Sequence, residues 1–70
     1  MPMTQTTFKT ITTRLYSTEE AEVTNQRHRA FRLEDLNNYG RHGYALVNTV
    51  TAPEHDGITI IDTLALTEQH

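Results

Sequence analysis

A chain of 70 residues has room for one small domain, near the lower size limit at which a protein folds around its own core. Its formal net charge of −3 argues against a general nucleic-acid binder, and the absence of cysteine excludes a disulfide framework and a cysteine-based zinc site. The sequence has neither a signal-peptide pattern nor an apolar run of about 20 residues, the length that spans a bilayer, so we expect a soluble cytoplasmic protein without membrane contact.

The first predicted element is a strand from Thr6 to Tyr16. Its run TTFKTITTRLY is rich in Thr, Ile, Phe and Tyr, which favour strands, and it alternates imperfectly between polar and apolar residues. Residues 1–5 and 68–70, at the two ends of the chain, are predicted to fray. The expected domain therefore spans residues 6–67.

The second predicted element is a helix from about Asn25 to Tyr39. Ser17 and Glu20 are three residues apart and have the form of a capping box, so a start near Thr18 stays open. The residues between these two possible starts include poor helix formers, which favours the later one.

One face of this helix is predicted to cover the sheet. At the helical period, Ala30, Leu33 and Leu36 share a face, whereas Phe31 points away from it. An aromatic residue off the core face usually covers a loop or lies at an interface. We therefore expect Phe31 to contact something other than the core.

Two glycines follow the helix. Gly40 stands where the helix is predicted to stop in a left-handed conformation, and Arg41 and His42 make the turn. Gly43 is predicted to let the next strand start close beneath the helix end. Both glycines are interpreted as structural.

The C-terminal half predicts a β-hairpin. Tyr44 to Thr51 and Gly57 to Thr67 alternate like strands, and residues 52–57 have turn chemistry. Tyr44, Leu46 and Val50 are expected on one side of their strand. The last strand is the most apolar and belongs in the middle of the sheet.

The predicted fold class is α+β, a β-α-β-β chain with a three-stranded antiparallel sheet of order 1-3-2 and one helix on one face. The second sheet face stays open, and a second copy of the chain is the simplest partner to cover it. The apolar residues expected there are Ala45, Val47, Ile61 and Ala65.

The run LNNYGRHGYALV, from Leu36 to Val47, resembles the signature of a family of small bacterial and phage proteins of unknown function. That signature reads Leu-Asn, any, Leu, Gly, any, any, Gly-Trp, any, Leu-Val. The matching residues are Leu36, Asn37, Gly40, Gly43, Leu46 and Val47, whereas Tyr39 and Tyr44 replace an aliphatic residue and the Trp. The family's closing strand often ends in Lys or Arg, unlike TEQH here, and residues 17–27 have no counterpart. The resemblance implies a compact strand-helix-strand-strand domain and no catalytic residue.

Metal, cofactor and nucleophile chemistry find little support. The four histidines, at positions 28, 42, 55 and 70, lack the spacing that places two ligands on one face, and surface positions are the simpler interpretation. Ser17 looks like a helix cap rather than a nucleophile. We therefore predict no catalytic residue, no metal site and no cofactor.

Asp62 is an acid within an apolar strand. Three interpretations stay open: it points to solvent at a bulge, it is held by a cation such as Arg14 across the sheet, or it belongs to a functional site.

The run RHRAFR concentrates the basic residues. The candidates for a protein interface or for an anionic ligand are Arg27, Arg29, Phe31, Arg32 and Arg41. A solvated or salt-bridged helix would show the same pattern.

The sequence as a whole predicts a non-enzymatic accessory protein of bacterial or phage origin. It is expected to form a homodimer and to act through contacts with itself and with a host or phage protein. The alternative is a module that binds an anionic nucleotide-like ligand through the helix arginines.

Overall fold

In the computed structural model, which describes residues 3–69, the chain runs strand, helix, strand, strand. Strand β3 pairs antiparallel with both other strands, so the sheet order is β1-β3-β2. The predicted α+β fold, with a three-stranded antiparallel sheet of order 1-3-2 and one helix, is confirmed. The elements are β1 (Thr4–Tyr16), a 3₁₀ turn (Glu19–Ala21), α1 (Glu22–Arg41), β2 (Ala45–Glu54) and β3 (Gly57–Gln69).

The two longest strands reach further than predicted. Thr4 pairs with Gln69, and the ladder continues without interruption to the pair Tyr16 and Gly57. The expected fraying is therefore wrong for residues 4, 5, 68 and 69, because each of these strands gives the other's end a hydrogen-bonding partner. Of the remaining residues in that prediction, Met3 is described and lies just before β1, whereas Met1, Pro2 and His70 lie outside the described residues.

The hairpin turn is shorter than the predicted turn over residues 52–57. Glu54 already pairs with Gly57, which leaves His55 and Asp56 as the loop. Gly57 also lies against β1, where a Cβ atom would overlap the carbonyl oxygen of Leu15. Glycine is needed there because the two backbones pass so closely.

The helix is longer than predicted and starts without a side-chain cap. Its first turn follows the 3₁₀ turn. The N-cap residue of the 3₁₀ turn, Thr18, makes no side-chain capping hydrogen bond to a described residue, and the N-cap residue of the helix, Ala21, has no polar side chain. The capping box expected from Ser17 and Glu20 is thus not what begins the helix. The backbone N–H of Ser17 instead donates to the Asp56 carbonyl in the hairpin turn.

The left-handed residue at the helix end is Gly43, not Gly40. The helix continues through Gly40 to Arg41, and Gly43 has φ +91°. The Tyr44 N–H donates to the Tyr39 carbonyl and the Gly43 N–H to the Gly40 carbonyl, both at 3.0 Å. This bonding pattern is a Schellman motif, and the rings of Tyr39 and Tyr44 supply its apolar contact, with centroids 5.3 Å apart.

The helix faces the sheet with a largely polar stripe, so the predicted apolar stripe is wrong for Ala30 and Leu33 and correct for Leu36. Ala30 is exposed and Leu33 is 60% exposed. The side chains that turn toward the sheet follow the helical period, with Asn25 buried and the others half-buried. They are Asn25, His28, Arg32, Leu36 and Tyr39.

A β-bulge in β2 changes which side chains share a face. Leu46 pairs with Leu64 and Asn48 with Thr63, so Val47 is an extra residue. The insertion reverses the alternation, and Leu46 and Val50 lie on opposite faces instead of together. The bulge escaped prediction because nothing in the local alternation marks it.

The core is small and the molecule is flat. Among residues 3–69 the buried apolar side chains are Ile11 and Leu64, beneath the helix, whereas ten large apolar side chains are exposed. The Cα radius of gyration is 15.1 Å, compared with about 11 Å for a compact chain of this length. The monomer therefore encloses little apolar surface.

Candidate interaction surface

Asp62 anchors the helix to the central strand. Its side chain is 0% exposed and accepts hydrogen bonds from Arg32 Nε at 2.7 Å and Nη2 at 2.9 Å, and from the Thr49 hydroxyl at 2.7 Å. The Arg32 hydrogen bonds hold the pKa of Asp62 below its usual value, against the opposing effect of burial. The same contact raises the pKa of Arg32.

Asp62 is held by an ion pair, as one interpretation predicted, but the cation is Arg32 and not Arg14. Arg14 lies on the opposite face of the sheet, where it contacts Glu54 and Asp56 and sits 5.3 Å from the Tyr16 ring centroid. Arg32, a candidate for ligand binding, is the residue that pairs with Asp62. A bidentate pair with a buried carboxylate makes Arg32 a structural residue.

The helix also closes one end of the outer edge of β1. The Asn25 side-chain amide accepts from the Tyr16 N–H at 2.8 Å and donates to the Tyr16 carbonyl at 2.7 Å. His28 Nδ1 lies 2.6 Å from the Arg14 carbonyl oxygen. Two helix side chains thus take the place of a neighbouring strand at residues 14–16.

The rest of that edge has no neighbour among the described residues. In an antiparallel pair, alternate residues direct their N–H and C=O groups toward the partner strand and away from it. Both backbone groups of Tyr16 bond Asn25 at the outer edge. The backbone N–H and C=O groups of the other even-numbered residues of β1 therefore also point to that edge, away from β3. The outward-facing residues beyond the reach of the helix are Thr4, Thr6, Phe8, Thr10 and Thr12.

A cleft of about 210 Å³ lies where the closed end of the edge meets the open part. Phe31, 54% exposed, forms part of its wall, and Ile11 supplies a second apolar surface. Its lining residues are Ile11 to Arg14 on β1 and His28, Phe31, Arg32 and Asp35 on the helix.

The predicted arginine cluster does not converge on one site. Arg27 and Arg29 are exposed and, being two residues apart on the helix, point about 160° apart. Neither forms an ion pair or a side-chain hydrogen bond with another described residue, and Arg41 hydrogen-bonds Asn38 on the helix surface. Of the five candidate residues, Phe31 and Arg32 meet at the cleft.

The histidines are dispersed. His28 and His42 each place Nδ1 against a backbone carbonyl, of Arg14 and Asn38 respectively. Within residues 3–69, no group of three or more His, Asp and Glu side chains is arranged to hold a metal ion.

The helix of the described chain is not long and apolar enough to cross a membrane.

Sequence reasoning missed Asn25 and Phe8. The sequence analysis placed Asn25 only at the predicted start of the helix, yet its side-chain amide bonds the edge of β1. The available signal was the i, i+3, i+7 spacing of Asn25, His28 and Arg32, a polar stripe on a helix that must face a sheet. Phe8, 62% exposed, gave no signal because a strand residue's exposure depends on what lies beside the sheet.

A comparison with family models, curated proteins and solved structures gave no match. The resemblance of residues 36–47 to small bacterial and phage proteins therefore stays a prediction. The structure does give that run a physical meaning, because its second glycine occupies the left-handed position that ends α1.

Proposed function

We propose that this chain is a non-enzymatic accessory protein that self-associates and acts through protein–protein contacts. The observation that carries the proposal is the shortage of core. The buried apolar side chains of the described chain are Ile11 and Leu64, while ten large apolar side chains of the same residues are exposed. A single copy thus leaves a large number of apolar side chains exposed for its size, and association is the usual way to cover such surface.

The accessible surface supports a partner of ordinary size. The monomer exposes 5278 Å², whereas a compact protein of 8.0 kDa exposes about 4450 Å². The excess of roughly 800 Å² is similar to the area that each partner buries in a standard protein–protein interface, about 800 Å². One interface would bring the exposed surface of each copy to that of a compact protein.

The engaged polar groups also favour binding over catalysis. Asp62 and Arg32 neutralise each other, and Arg14 is paired with two carboxylates. The His28 ring nitrogen nearest the sheet is bonded to a backbone carbonyl. Covalent catalysis needs a nucleophile beside a free base, whereas Arg14, His28 and Arg32 at the cleft are already held in these contacts.

Capture of an anionic nucleotide-like ligand by the helix arginines is the weaker alternative. Arg32 and Arg14 are already paired, and Arg27 and Arg29 point in nearly opposite directions. A bacterial or phage origin is implied by the resemblance of residues 36–47 alone.

Native mass spectrometry of the untagged protein, combined with sedimentation velocity, tests the proposal. We expect a bare complex of twice the 8.0 kDa chain mass at micromolar concentration. A bare monomer at every concentration would contradict self-association. A monomer or dimer with retained mass of nucleotide size would instead favour the anionic-ligand alternative.

A further inference from the structure

We propose that β1 of a second copy adds antiparallel to the open edge of β1, across a two-fold axis beside Phe8, with Met3 of each copy entering the cleft of the other. The result is a continuous six-stranded sheet. This inference rests on the proposed self-association and adds to it the surface, the register and a residue that the second copy contributes to the cleft.

The open edge of β1 is the better of the two edges for strand addition. Five outward-facing residues, from Thr4 to Thr12, lack a neighbouring strand among residues 3–69. The edge of β2 is interrupted by the bulge at Leu46/Asn48 and by Pro53, which has no N–H to donate. The regular stretch left between them is only residues 49–52.

The closed end of the edge limits the register. The Arg14 carbonyl and both backbone groups of Tyr16 are occupied by helix side chains, so an added strand must stop before residue 14. A two-fold pairing centred on Phe8 uses all five outward-facing residues, because it places Thr4 opposite Thr12 and Thr6 opposite Thr10.

The neighbouring registers are less favourable. A pairing centred on Lys9 would place two lysines directly opposite each other, and like charges in that position are destabilising. A pairing centred on Thr10 would bring Thr6 of one copy against Arg14 of the other, whose carbonyl His28 already occupies. Centring on Thr7 would leave Thr12 without a described partner. Phe8 is thus the favoured centre.

The same register delivers an apolar side chain to the cleft. Odd-numbered residues of β1 point to the helix-covered face, as buried Ile11 and Thr13 show. Continuing the second copy's strand by one residue places its Met3 opposite Thr13, on that face and beside the cleft. Met3 is 75% exposed in the monomer, and methionine packs well against an aromatic ring such as that of Phe31.

Thr10→Pro tests the edge directly. The Thr10 N–H points outward, so proline removes a hydrogen bond to the second copy and leaves the ladder with β3 in place. Two-fold symmetry removes two such bonds per dimer, and we expect the dimer dissociation constant to rise about tenfold or more. Val50→Lys is the matched control, because Val50 is exposed on the open face of the sheet away from this edge.

The two variants separate the possible outcomes. Weaker dimerisation of Thr10→Pro with a normal Val50→Lys dimer supports the edge register. The reverse pattern would overturn it in favour of pairing through the open sheet face, and self-association would still stand. A wild-type monomer would overturn both this inference and the proposed function.

Cysteine crosslinking tests the register even if Thr10→Pro does not fold. The chain has no cysteine, so Met3→Cys and Phe31→Cys proteins can be mixed and treated with a short bismaleimide. We expect a covalent heterodimer from that mixture and none when Val23→Cys, at an exposed site near the helix start, replaces Phe31→Cys. Equal crosslinking of both mixtures, or of neither, would overturn the register.

Discussion

The two edges of this sheet are protected in different ways. The edge of β2 is shielded by its own residues, a bulge at Leu46/Asn48 and the proline at position 53. The edge of β1 has no such device along residues 4–16, and only its last part is covered, by Asn25 and His28 of the helix. Protection of β2 is therefore local, whereas that of β1 depends on where the helix docks.

The largest expected effect comes from removing the helix anchor. Arg32→Ala leaves the fully buried Asp62 carboxylate without a cation and should destabilise the fold by about 3–5 kcal/mol. Urea unfolding followed by circular dichroism would measure the loss. Arg29→Ala, at an exposed position without an ion pair to any described residue, should stay within about 0.5 kcal/mol. Equal stability of the two variants would refute the anchoring role.

Acid should weaken the same anchor. The pKa of Asp62 is lowered in the folded state, chiefly by the Arg32 hydrogen bonds, so its stabilising effect is fully present above the unfolded-state pKa of about 4. That effect is lost as the pH falls through the lower, folded-state pKa. The difference in free energy of unfolding between wild type and Asp62→Asn should therefore shrink on acidification. A difference that does not change with pH would contradict this account.

Asn25→Ala should open the closed end of the β1 edge. The variant leaves the N–H and C=O of Tyr16 without their partner and should cost about 1–3 kcal/mol. Hydrogen exchange of the Tyr16 amide should accelerate, as measured by NMR. Asn37→Ala, exposed on the same helix, is the control with an expected change below about 0.5 kcal/mol. Unchanged protection of Tyr16 would mean that the helix does not seal this edge.

The two glycines at the helix end should respond with opposite signs. Gly43→Ala places a Cβ on a residue with φ +91°, 3.1 Å from Leu66 Cδ1, and should cost about 1–2 kcal/mol. Gly40→Ala adds a methyl group in open space within the helix and should stabilise the fold by about 0.5–1 kcal/mol. Thermal melts of both variants against wild type would show the signs. If Gly40→Ala instead destabilised the fold, the prediction that Gly40 is the left-handed residue at the helix end would be supported.

Much of the fold could be predicted because it follows from neighbouring residues. The short turn at His55 and Asp56 dictates an antiparallel hairpin, and the apolar run of β3 belongs between two other strands. The helix face could not be predicted in the same way. Apolar periodicity favoured Leu33, but the contacts that orient the helix are hydrogen bonds to β1 and to Asp62, far away in sequence.

The candidate site was only partly visible in the sequence. Phe31 was expected to point away from the core face, and the structure places it, 54% exposed, in the wall of the cleft beside the core residue Ile11. The arginines next to it looked like a cluster because they are adjacent in sequence, yet the helix turns Arg27 and Arg29 to opposite sides. Arg32 was grouped with them although a buried carboxylate thirty residues later holds it.

By itself the sequence determined the order of the elements and a left-handed glycine after the helix, because these depend on dihedral preferences within a few residues. Only the tertiary structure decided that Gly43 rather than Gly40 has that role and that Arg32 forms the ion pair with Asp62. It also decided that one edge of β1 has no neighbouring strand among the described residues. These features arise where segments distant in sequence compete for the same hydrogen bonds and the same buried space. Their outcome is set by the three-dimensional arrangement, which no local pattern encodes.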